Sequence, residues 1–375
     1  MVEAMNSSTA PNRLEKGVIS SSQLGLLFFL SILTTGILTA PSPIYSVAYR
    51  DIWISSLIGS LPAYGIILIV HALHRKYPGM TFIEYSTKVY GKVIGKIIGL
   101  LFLLFTLHTT GVVVRQFSEF MAVGFFPRTP LIVLAAVIIF TSACAVRGGV
   151  EIIGRFPQLF TPIVLVLLMF IIVPLIPDFN VKELLPVMEN GPLPPIKGAL
   201  ILQQWFLLYS VTSFYLPYVA DGKRSLRWSL YSLTALVIVM LIGHVCTVMV
   251  LGEVTAQYNF SFMNLSRYIQ IAGFFEHLQS IVMAIWVFSL FVRLSTTYYI
   301  LALGTAQWLN LSDYRMLVMP IGILIVVFSL WSLPSIASYS SAIAPNTFYY
   351  IIMLGGVPLL TWLVSSIRHG IGTKN

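Results

Sequence analysis

The sequence predicts an all-α polytopic membrane protein, in which ten transmembrane helices form two inverted five-helix repeats and the first and sixth helices are broken. Composition supports the membrane class, because 57% of the 375 residues are hydrophobic, 9% are charged and the mean hydropathy is +0.89. Polar interruptions of two apolar runs lie near residues 34–43 and 209–217. Non-helical backbone at bilayer depth is tolerated where it lines a cavity, so both interruptions mark a candidate ligand site.

Ten apolar runs are long enough to cross about 30 Å of hydrocarbon, which takes about 20 residues. They lie near residues 19–47, 51–73, 97–124, 130–146, 156–176, 197–218, 228–252, 273–308, 316–333 and 347–367. The first and eighth exceed one crossing, which is typical of kinked or tilted helices. Residues 81–95 are expected to form a short helix on the membrane surface, because Lys88, Lys92 and Lys96 recur every four residues.

The basic residues of the loops predict the orientation of the chain. With ten spans the termini share a side, and the loops of that side hold fifteen Lys and Arg residues against five on the other side. The positive-inside rule therefore places both termini in the cytoplasm. We expect a short cytoplasmic tail at 1–18, a first repeat at 19–190, a second, inverted repeat at 191–368 and a cytoplasmic tail at 369–375.

The two halves of the chain resemble each other after about 180 residues, as in transporter folds built from repeats. The segment TFIEYS at 81–86 aligns with SFMNLS at 261–266, and Arg115 aligns with Arg293. Because each half holds an odd number of spans, the second half must be inverted. Spans one and six then correspond, as do spans three and eight.

Three charged residues lie well within predicted spans, away from the span ends, where charge is costly and marks candidate functional positions. Arg115 and Glu119 are four apart in span three and share one helix face, so they form either a permanent ion pair or a gate. Arg293 has no acidic residue at helical spacing. We expect Arg115 and Arg293 to border the outer and inner ends of one central cavity.

The two interruptions predict where a ligand binds, although Ser, Thr and Pro also occur in membrane helices as interhelical hydrogen-bond formers or kinks. An unwound segment frees backbone N–H groups, which suit a carboxylate, and carbonyl groups, which suit an ammonium. These groups together fit a zwitterionic amino acid. The candidate ligand-binding residues in the breaks are Thr35, Gly36, Ile37 and Thr39 in span one, and Tyr209, Ser210, Thr212 and Ser213 in span six.

Spans three and eight contribute further candidates, His108 and Thr296. His108 is either a proton relay or a histidine bonded to a backbone carbonyl. Glu119 is the only acidic residue placed well within a span, so no carboxylate pair is expected to hold sodium. The sequence lacks a nucleotide-binding loop, a metal-ligand cluster and a nucleophile with a base, which predicts no enzyme activity, no cofactor and no metal. The basic residues lie in short loops, so nucleic acid is not an expected partner.

Four long stretches resemble the permease-like B subunit of bacterial spore germinant receptors. They are KGVISSSQLGLLFFLSILTTGILTAPS from Lys16, YPGMTFIEYSTKVYGKVIGKIIG from Tyr77, PDFNVKELLPVMENGPLPPIKGAL from Pro177 and WVFSLFVRLSTTYYILALGTAQWLNLSDYR from Trp286. The resemblance implies membership of the amino acid-polyamine-organocation superfamily and a fold like that of the sodium-coupled leucine transporter. It also implies a location in the spore inner membrane, beside an A subunit and a lipoprotein C subunit.

Three functional hypotheses follow. The first is a receptor subunit that binds a small nutrient, an amino acid by expectation, and triggers spore germination. The second is a proton-coupled or facilitative amino-acid permease. The third is an ion or water pathway gated by partner subunits.

Overall fold

The computed structural model describes residues 14–266, 279–332 and 346–372. The predicted N-terminal tail lies largely outside the described residues, as do residues 373–375 and the first residues of the eighth predicted span. Among the described residues the chain is helical almost throughout. This confirms the all-α class that composition and hydropathy predict.

The α-helices of the described residues are numbered in chain order, apart from the short helical segment 346–350. They are α1 (Ser21–Thr39), α2 (Pro41–Ala48), α3 (Ile52–Lys76), α4 (Phe82–Tyr90), α5 (Lys92–Gly124), α6 (Leu131–Arg147), α7 (Val150–Ile172), α8 (Leu193–Ile201), α9 (Gln203–Phe206), α10 (Gly222–Leu251), α11 (Ser261–Leu265), α12 (Gln279–Leu309), α13 (Arg315–Trp331) and α14 (Val357–Gly372). Helical residues 346–350 and a π-helix at Ile351–Gly356 precede α14 without interruption.

Short 3₁₀ helices connect several of these elements. They cover Tyr49–Asp51, Val173–Asp178, Val181–Leu184, Leu207–Phe214, Leu216–Tyr218 and Gly252–Gln257. Seven helical segments of the described chain are long and apolar enough to cross a membrane, and the shorter apolar helices α6 and α13 accompany them. The sixth predicted span corresponds to α8, α9 and the following 3₁₀ helices. The exact count of ten spans stays a prediction.

The first interruption is a kink between α1 and α2, and the helix is not unwound there. The Ala40 N–H donates to the Gly36 carbonyl at 3.3 Å, and the Ile44 N–H donates to the Ala40 carbonyl at 3.2 Å. Pro41 and Pro43 lack N–H groups, so two helical hydrogen bonds are missing on one side of the bend. The predicted break is therefore present as a kink, and the expectation that backbone groups of this segment bind a ligand stays a prediction.

The second interruption is a true departure from α-helical geometry. Helix α8 ends at Ile201, α9 covers a single turn, and 3₁₀ helices continue from Leu207 to Tyr218. A 3₁₀ stretch of this length is uncommon and marks a strained or functional segment. The prediction of a break within residues 209–217 is confirmed.

The central helix of the bundle is α1, most of which is buried. It packs closely against α10 through small residues, as transmembrane helices commonly do. A Cβ atom at Gly25 would lie 3.1 Å from the Trp228 carbonyl oxygen, and one at Gly36 would lie 2.6 Å from Met240 Cε. Both glycines therefore permit the close contact between the two helices.

Helix α4 begins with a capping box, in which Thr81 caps the helix and the Glu84 side chain accepts the Thr81 N–H. It ends at Tyr90, because Gly91 has a φ of +87° that turns the chain into α5. The predicted surface helix at 81–95 is therefore too long, and Lys92 and Lys96 belong to α5. Helix α11 occupies the position expected from the repeat alignment of residues 81–86 with 261–266.

The two ends of the bundle differ in their charged residues. We name the basic end for Lys76, Arg147, Lys223 and Arg315, which lie where α3 and α6 end and where α10 and α13 begin. Contacts join elements at this end, for example from Lys76 to Ser366 and from the Arg315 side chain to the Arg147 carbonyl. The opposite end holds the 3₁₀ helices at 49–51, 173–184 and 252–257.

Candidate functional site

A small cavity of about 20 Å³ lies at the centre of the bundle, between α1, α5, α9, α12 and the helical residues 346–350. Its described lining residues are Thr35, Thr39, His108, Val112, Val113, Gln116, Gln204, Trp205, Arg293, Asn346 and Tyr350. A cavity of this size holds about one water molecule. The lining is polar at bilayer depth, where buried polar groups are expensive and mark functional positions.

Helix α1 contributes Thr35 and Thr39 to the cavity, one helical turn apart. The Thr39 hydroxyl donates to the Thr35 carbonyl at 2.6 Å, and the Thr35 hydroxyl lies 3.2 Å from the Ile32 carbonyl. These bonds satisfy the hydroxyl donors within the helix. Their remaining lone pairs can accept hydrogen bonds from the cavity. Both residues were predicted from the sequence, and the structure places both in the cavity.

Helix α5 contributes His108 and Gln116. The His108 ring packs near Tyr349, with ring centroids 6.3 Å apart, and its Nδ1 has no hydrogen-bond partner among the described residues. The alternative in which this nitrogen bonds a backbone carbonyl is thus not observed. Gln116 is 3% exposed and its Nε2 also lacks a described partner. Sequence reasoning missed Gln116, although it lies next to the selected Arg115.

Helix α12 contributes Arg293, which is 6% exposed. Its Nη1 donates to the Thr35 hydroxyl at 3.0 Å and approaches the Ser31 carbonyl at 3.3 Å. The side chain therefore faces the protein interior, as the hypothesis of a cavity-bordering arginine requires. It lines the cavity itself instead of one of its ends.

Arg115 and Glu119 form the predicted ion pair, with Nε and Oε1 2.5 Å apart and side-chain exposures of 12% and 9%. Neither residue is among the described residues that line the central cavity. Arg115 therefore does not line the described part of this cavity, and its place at the outer end of the cavity stays a prediction. The short contact agrees with the alternative of a structural pair on one helix face.

The break in the sixth span reaches the cavity through different residues from those expected. Gln204 and Trp205 line it, immediately before the 3₁₀ stretch, and the Gln204 amide donates to the Thr347 hydroxyl at 2.8 Å. The four predicted residues are buried but are not among the lining residues: Tyr209, Ser210, Thr212 and Ser213. The sequence pattern located the break correctly, and the residues of this span that line the cavity lie one to two turns before the four predicted ones.

Two predicted residues on α1, Gly36 and Ile37, face α10 and not the cavity. A Cβ at Gly36 would meet Met240, and a Cβ at Gly243 would meet Ile37. This correction follows from helical geometry, since α1 stays helical through Thr39 and residues 35 and 36 therefore point about 100° apart. Thr296 was also predicted to bind the ligand, and it is not among the described residues that line the cavity. Its hydroxyl lies 3.3 Å from the Ser31 hydroxyl on α1.

His244 is a fully buried residue that sequence reasoning did not select. Its Nδ1 lies 2.8 Å from the Ser56 hydroxyl on α3, and its Nε2 lies 3.4 Å from the Gly36 carbonyl on α1. It therefore links α10 to two other helices just before the kink in α1. An ionisable residue inside an apolar span is a general signal that could have identified it.

A larger pocket of about 540 Å³ lies at the opposite end of the bundle. Tyr45 and Arg50 line it together with Asp51 and Glu253, and Arg50 Nη2 lies 3.4 Å from Glu253 Oε1. Glu253 is 79% exposed, so this ion pair contributes little stability. Because Tyr45 lies on α2, the pocket and the central cavity adjoin the same kinked helix pair.

The basic end is closed by backbone pairing between the chain before α1 and the chain before α10. The Ile19 N–H donates to the Tyr218 carbonyl, and the Ala220 N–H donates to the Ile19 carbonyl, both at 2.9 Å. Asp221 accepts the Ser21 N–H at 2.6 Å and the Ser21 hydroxyl at 2.8 Å. These contacts tie the two interrupted spans together at this end.

Glu15 is 3% exposed and forms a second set of contacts between segments at the basic end. Its carboxylate accepts the Gly17 and Val150 N–H groups at 2.8 and 3.2 Å, and the Tyr314 hydroxyl at 2.8 Å. Burial, and then the charge of Glu15, raise the pKa of the Tyr314 hydroxyl above its ordinary value. Tyr314 therefore stays a hydrogen-bond donor throughout the physiological pH range.

Residues 18–335 of the chain match the spore permease family model, described as "Spore germination protein". The chain is 24% identical over 362 residues to spore germination protein YndE of Bacillus subtilis (strain 168), covering 93% of this chain and 97% of that protein.

Two solved transporters share the fold. One is a Na⁺-coupled sialic acid symporter in a substrate-bound outward-open state, with a TM-score of 0.64 and 11% identity over 90% of this chain and 79% of that one. The other is Mhp1, a nucleobase-cation-symport-1 family transporter in a closed conformation with bromovinylhydantoin bound, with a TM-score of 0.62 and 14% identity over 93% and 80% of the two chains. The chain therefore belongs to the spore permease family of spore germination proteins and has a leucine-transporter-type fold.

Proposed function

We propose that this chain is the nutrient-sensing B subunit of a spore germinant receptor, which binds a small germinant in the central cavity and triggers germination. The family match and the names of its relatives support a role in germination. The transporter fold supports a small-molecule ligand. We propose an amino acid as the ligand, because the cavity offers hydroxyl, amide and guanidinium groups within a small volume.

The observation that carries this proposal is the mismatch between the polarity of the cavity and its size. About 20 Å³ accommodates roughly one water molecule and no amino acid. A ligand that binds there must therefore move at least one of the lining helices. Such a ligand binds the opened conformation better than the closed one. This difference in affinity shifts the equilibrium between the two conformations toward the opened one.

The required shift is large but attainable. Moving a population from mostly closed to mostly open takes about 5.5 kcal/mol of differential binding. Helix α1 and the helical residues 346–350 are suitable moving elements. Helix α1 is kinked after the cavity residue Thr39. The helical residues 346–350 lead directly into the π-helix at Ile351–Gly356. Helix kinks and π-helices commonly occur at functional sites.

The proposed setting is the inner membrane of the spore, with A and C subunits as partners and both termini in the cytoplasm. The distribution of Lys and Arg supports this orientation, because the loops on the side of the termini hold most of them. The contacts at the basic end agree with it, since they gather those loops on one face.

The second candidate function is a proton-coupled or facilitative amino-acid permease. It is favoured by His108, which lines the cavity and whose Nδ1 has no described partner, so that this nitrogen is available for proton exchange with a ligand or water. The two functions differ in whether the ligand crosses the membrane.

The test measures binding and uptake of radiolabelled L-amino acids on one preparation of the full chain in proteoliposomes. The proposal predicts saturable binding without net uptake, and saturable uptake would establish the permease instead. Val113→Phe fills the cavity and should abolish binding. Val123→Phe is the matched control on the same helix, because Val123 is 80% exposed. Equal binding by both variants would exclude the central cavity as the site.

A further inference from the structure

The central cavity carries a permanent positive charge. Arg293 is the only charged side chain among its described lining residues, and it is buried. A guanidinium is not deprotonated in proteins, so the charge persists at every physiological pH. In a low-dielectric site it disfavours cationic ligands and favours anionic groups.

The guanidinium is also held in position. Its Nη1 donates to the Thr35 hydroxyl at 3.0 Å and lies 3.3 Å from the Ser31 carbonyl. These contacts fix the planar group against α1 at the edge of the cavity. A positioned guanidinium matches the geometry of a carboxylate, which can accept two parallel N–H bonds.

A second donor supports the same ligand chemistry independently. Gln116 is 3% exposed, lines the cavity from α5, and its Nε2 has no hydrogen-bond partner among the described residues. Buried donors without partners are rare in proteins and require an explanation. An acceptor group brought by a ligand would satisfy this amide.

We infer that the cavity selects ligands by a carboxylate group, which Arg293 and Gln116 bind together. This inference rests on the proposed function and adds the group that is recognised and the residues that recognise it. The backbone of α1 is not the carboxylate site, because that helix keeps its hydrogen bonds through Thr39. The expected ligand is a small carboxylate, either zwitterionic or anionic. The cavity is not expected to bind α-amides, amines or neutral sugars.

The experiment measures binding by the purified full chain in nanodiscs. The probes are the twenty L-amino acids, the α-amide and the decarboxylated amine of each amino acid that binds, and the neutral probes D-glucose and inosine. We expect amidation or decarboxylation to weaken binding at least about tenfold, which corresponds to about 1.4 kcal/mol. This comparison uses the wild-type chain, so it does not depend on whether a variant folds.

Variants then identify the residues. Arg293→Gln and Gln116→Leu should each weaken binding of the best carboxylate ligand about tenfold or more. Each should also reduce the ratio between the affinity for this ligand and the affinity for its α-amide. Arg293→Lys keeps the charge without the fork and should retain part of that preference. Arg115→Gln is the control, because it removes a partly buried positive charge that pairs with Glu119 and does not line the cavity.

The outcomes separate the inference from the proposed function. Amides that bind as well as their acids, or an Arg293→Gln variant that folds and keeps the full preference for the acid, would overturn the inference and leave nutrient sensing intact. Binding of D-glucose or inosine without binding of any amino acid would also overturn the inference and leave nutrient sensing intact. Failure of the wild-type chain to bind any probe would overturn both.

Discussion

Arg293 on α12 donates a hydrogen bond to the Thr35 hydroxyl on α1 at 3.0 Å. This bond joins a helix of the second half of the chain to the central helix of the first half, at the wall of the cavity. Because α1 also carries the kink and the contacts of the basic end, a ligand that changes this bond acts on a helix that reaches both ends of the bundle. We expect this connection to underlie signalling.

Thr35→Val tests the contribution of this bond. The substitution keeps the side-chain shape and removes the acceptor, so it should lower stability by about 0.5–2 kcal/mol, the usual range for interhelical hydrogen bonds in membranes. Thermal unfolding in detergent measures the change. Thr247→Val is the control, because the Thr247 hydroxyl donates within its own helix to the Gly243 carbonyl. An equal loss in both variants would show that the interhelical bond adds nothing.

Gly36→Ala should act through packing and not through direct ligand contact. The new Cβ would lie 2.6 Å from Met240 Cε, so α1 and α10 must separate or Met240 must move, at a cost of about 1–3 kcal/mol. Met240→Ala in the same chain should restore most of the lost stability and binding. A double-mutant cycle measures this coupling. Additive effects of the two substitutions would contradict the packing explanation.

Ligand binding should not require sodium. The Ser31 carbonyl and the Thr35 hydroxyl, which are oxygen donors that could serve a monovalent cation, contact the Arg293 guanidinium, and the described lining of the cavity contains no carboxylate. Replacing sodium chloride with choline chloride should leave the dissociation constant unchanged. Binding that rises with sodium concentration would refute this expectation.

The Ser21–Asp221 contact should stabilise the basic end at neutral pH and weaken in acid. Partial burial by itself would raise the pKa of the Asp221 carboxyl, but hydrogen bonds from the Ser21 N–H and hydroxyl outweigh it and lower the pKa. Stability from a lowered pKa is present above the unfolded value, about 3.9 for Asp, and is lost as the pH falls through the folded value. Asp221→Asn should therefore unfold at a lower temperature than wild type at pH 7.

The pH profile provides the check for this prediction. The difference between wild type and Asp221→Asn should be constant near neutral pH and should shrink as the pH falls below about 4. Asp178→Asn is a control with an exposed carboxyl at the opposite end of the bundle. A difference that instead grows in acid would contradict the assigned role of Asp221.

Hydropathy and spacing were sufficient to predict the helical class, the positions of both interruptions and the Arg115–Glu119 pair. These features depend on local sequence, since apolar runs, prolines and i to i+4 spacing are visible within one segment. The inward orientation of Arg293 also followed from the cost of placing charge in lipid. These predictions needed no knowledge of how the helices pack.

The side chains that reach the cavity were harder to predict. Thr35 and Gly36 are neighbours in the sequence, yet one faces Arg293 and the other faces Met240, because α1 remains helical. Gln116 and Gln204 reach the cavity through the rotation of α5 and α9 about their axes. That rotation is set by tertiary packing, which a polar motif in one segment does not reveal.

The most direct test of the central claim is the structure of the full chain bound to its best amino acid. We predict ligand density between α1, α5 and α12, with the carboxylate within hydrogen-bond distance of Arg293 and Gln116 and a cavity larger than the present 20 Å³. Ligand density confined to the pocket at the opposite end, with the central cavity unchanged, would contradict it.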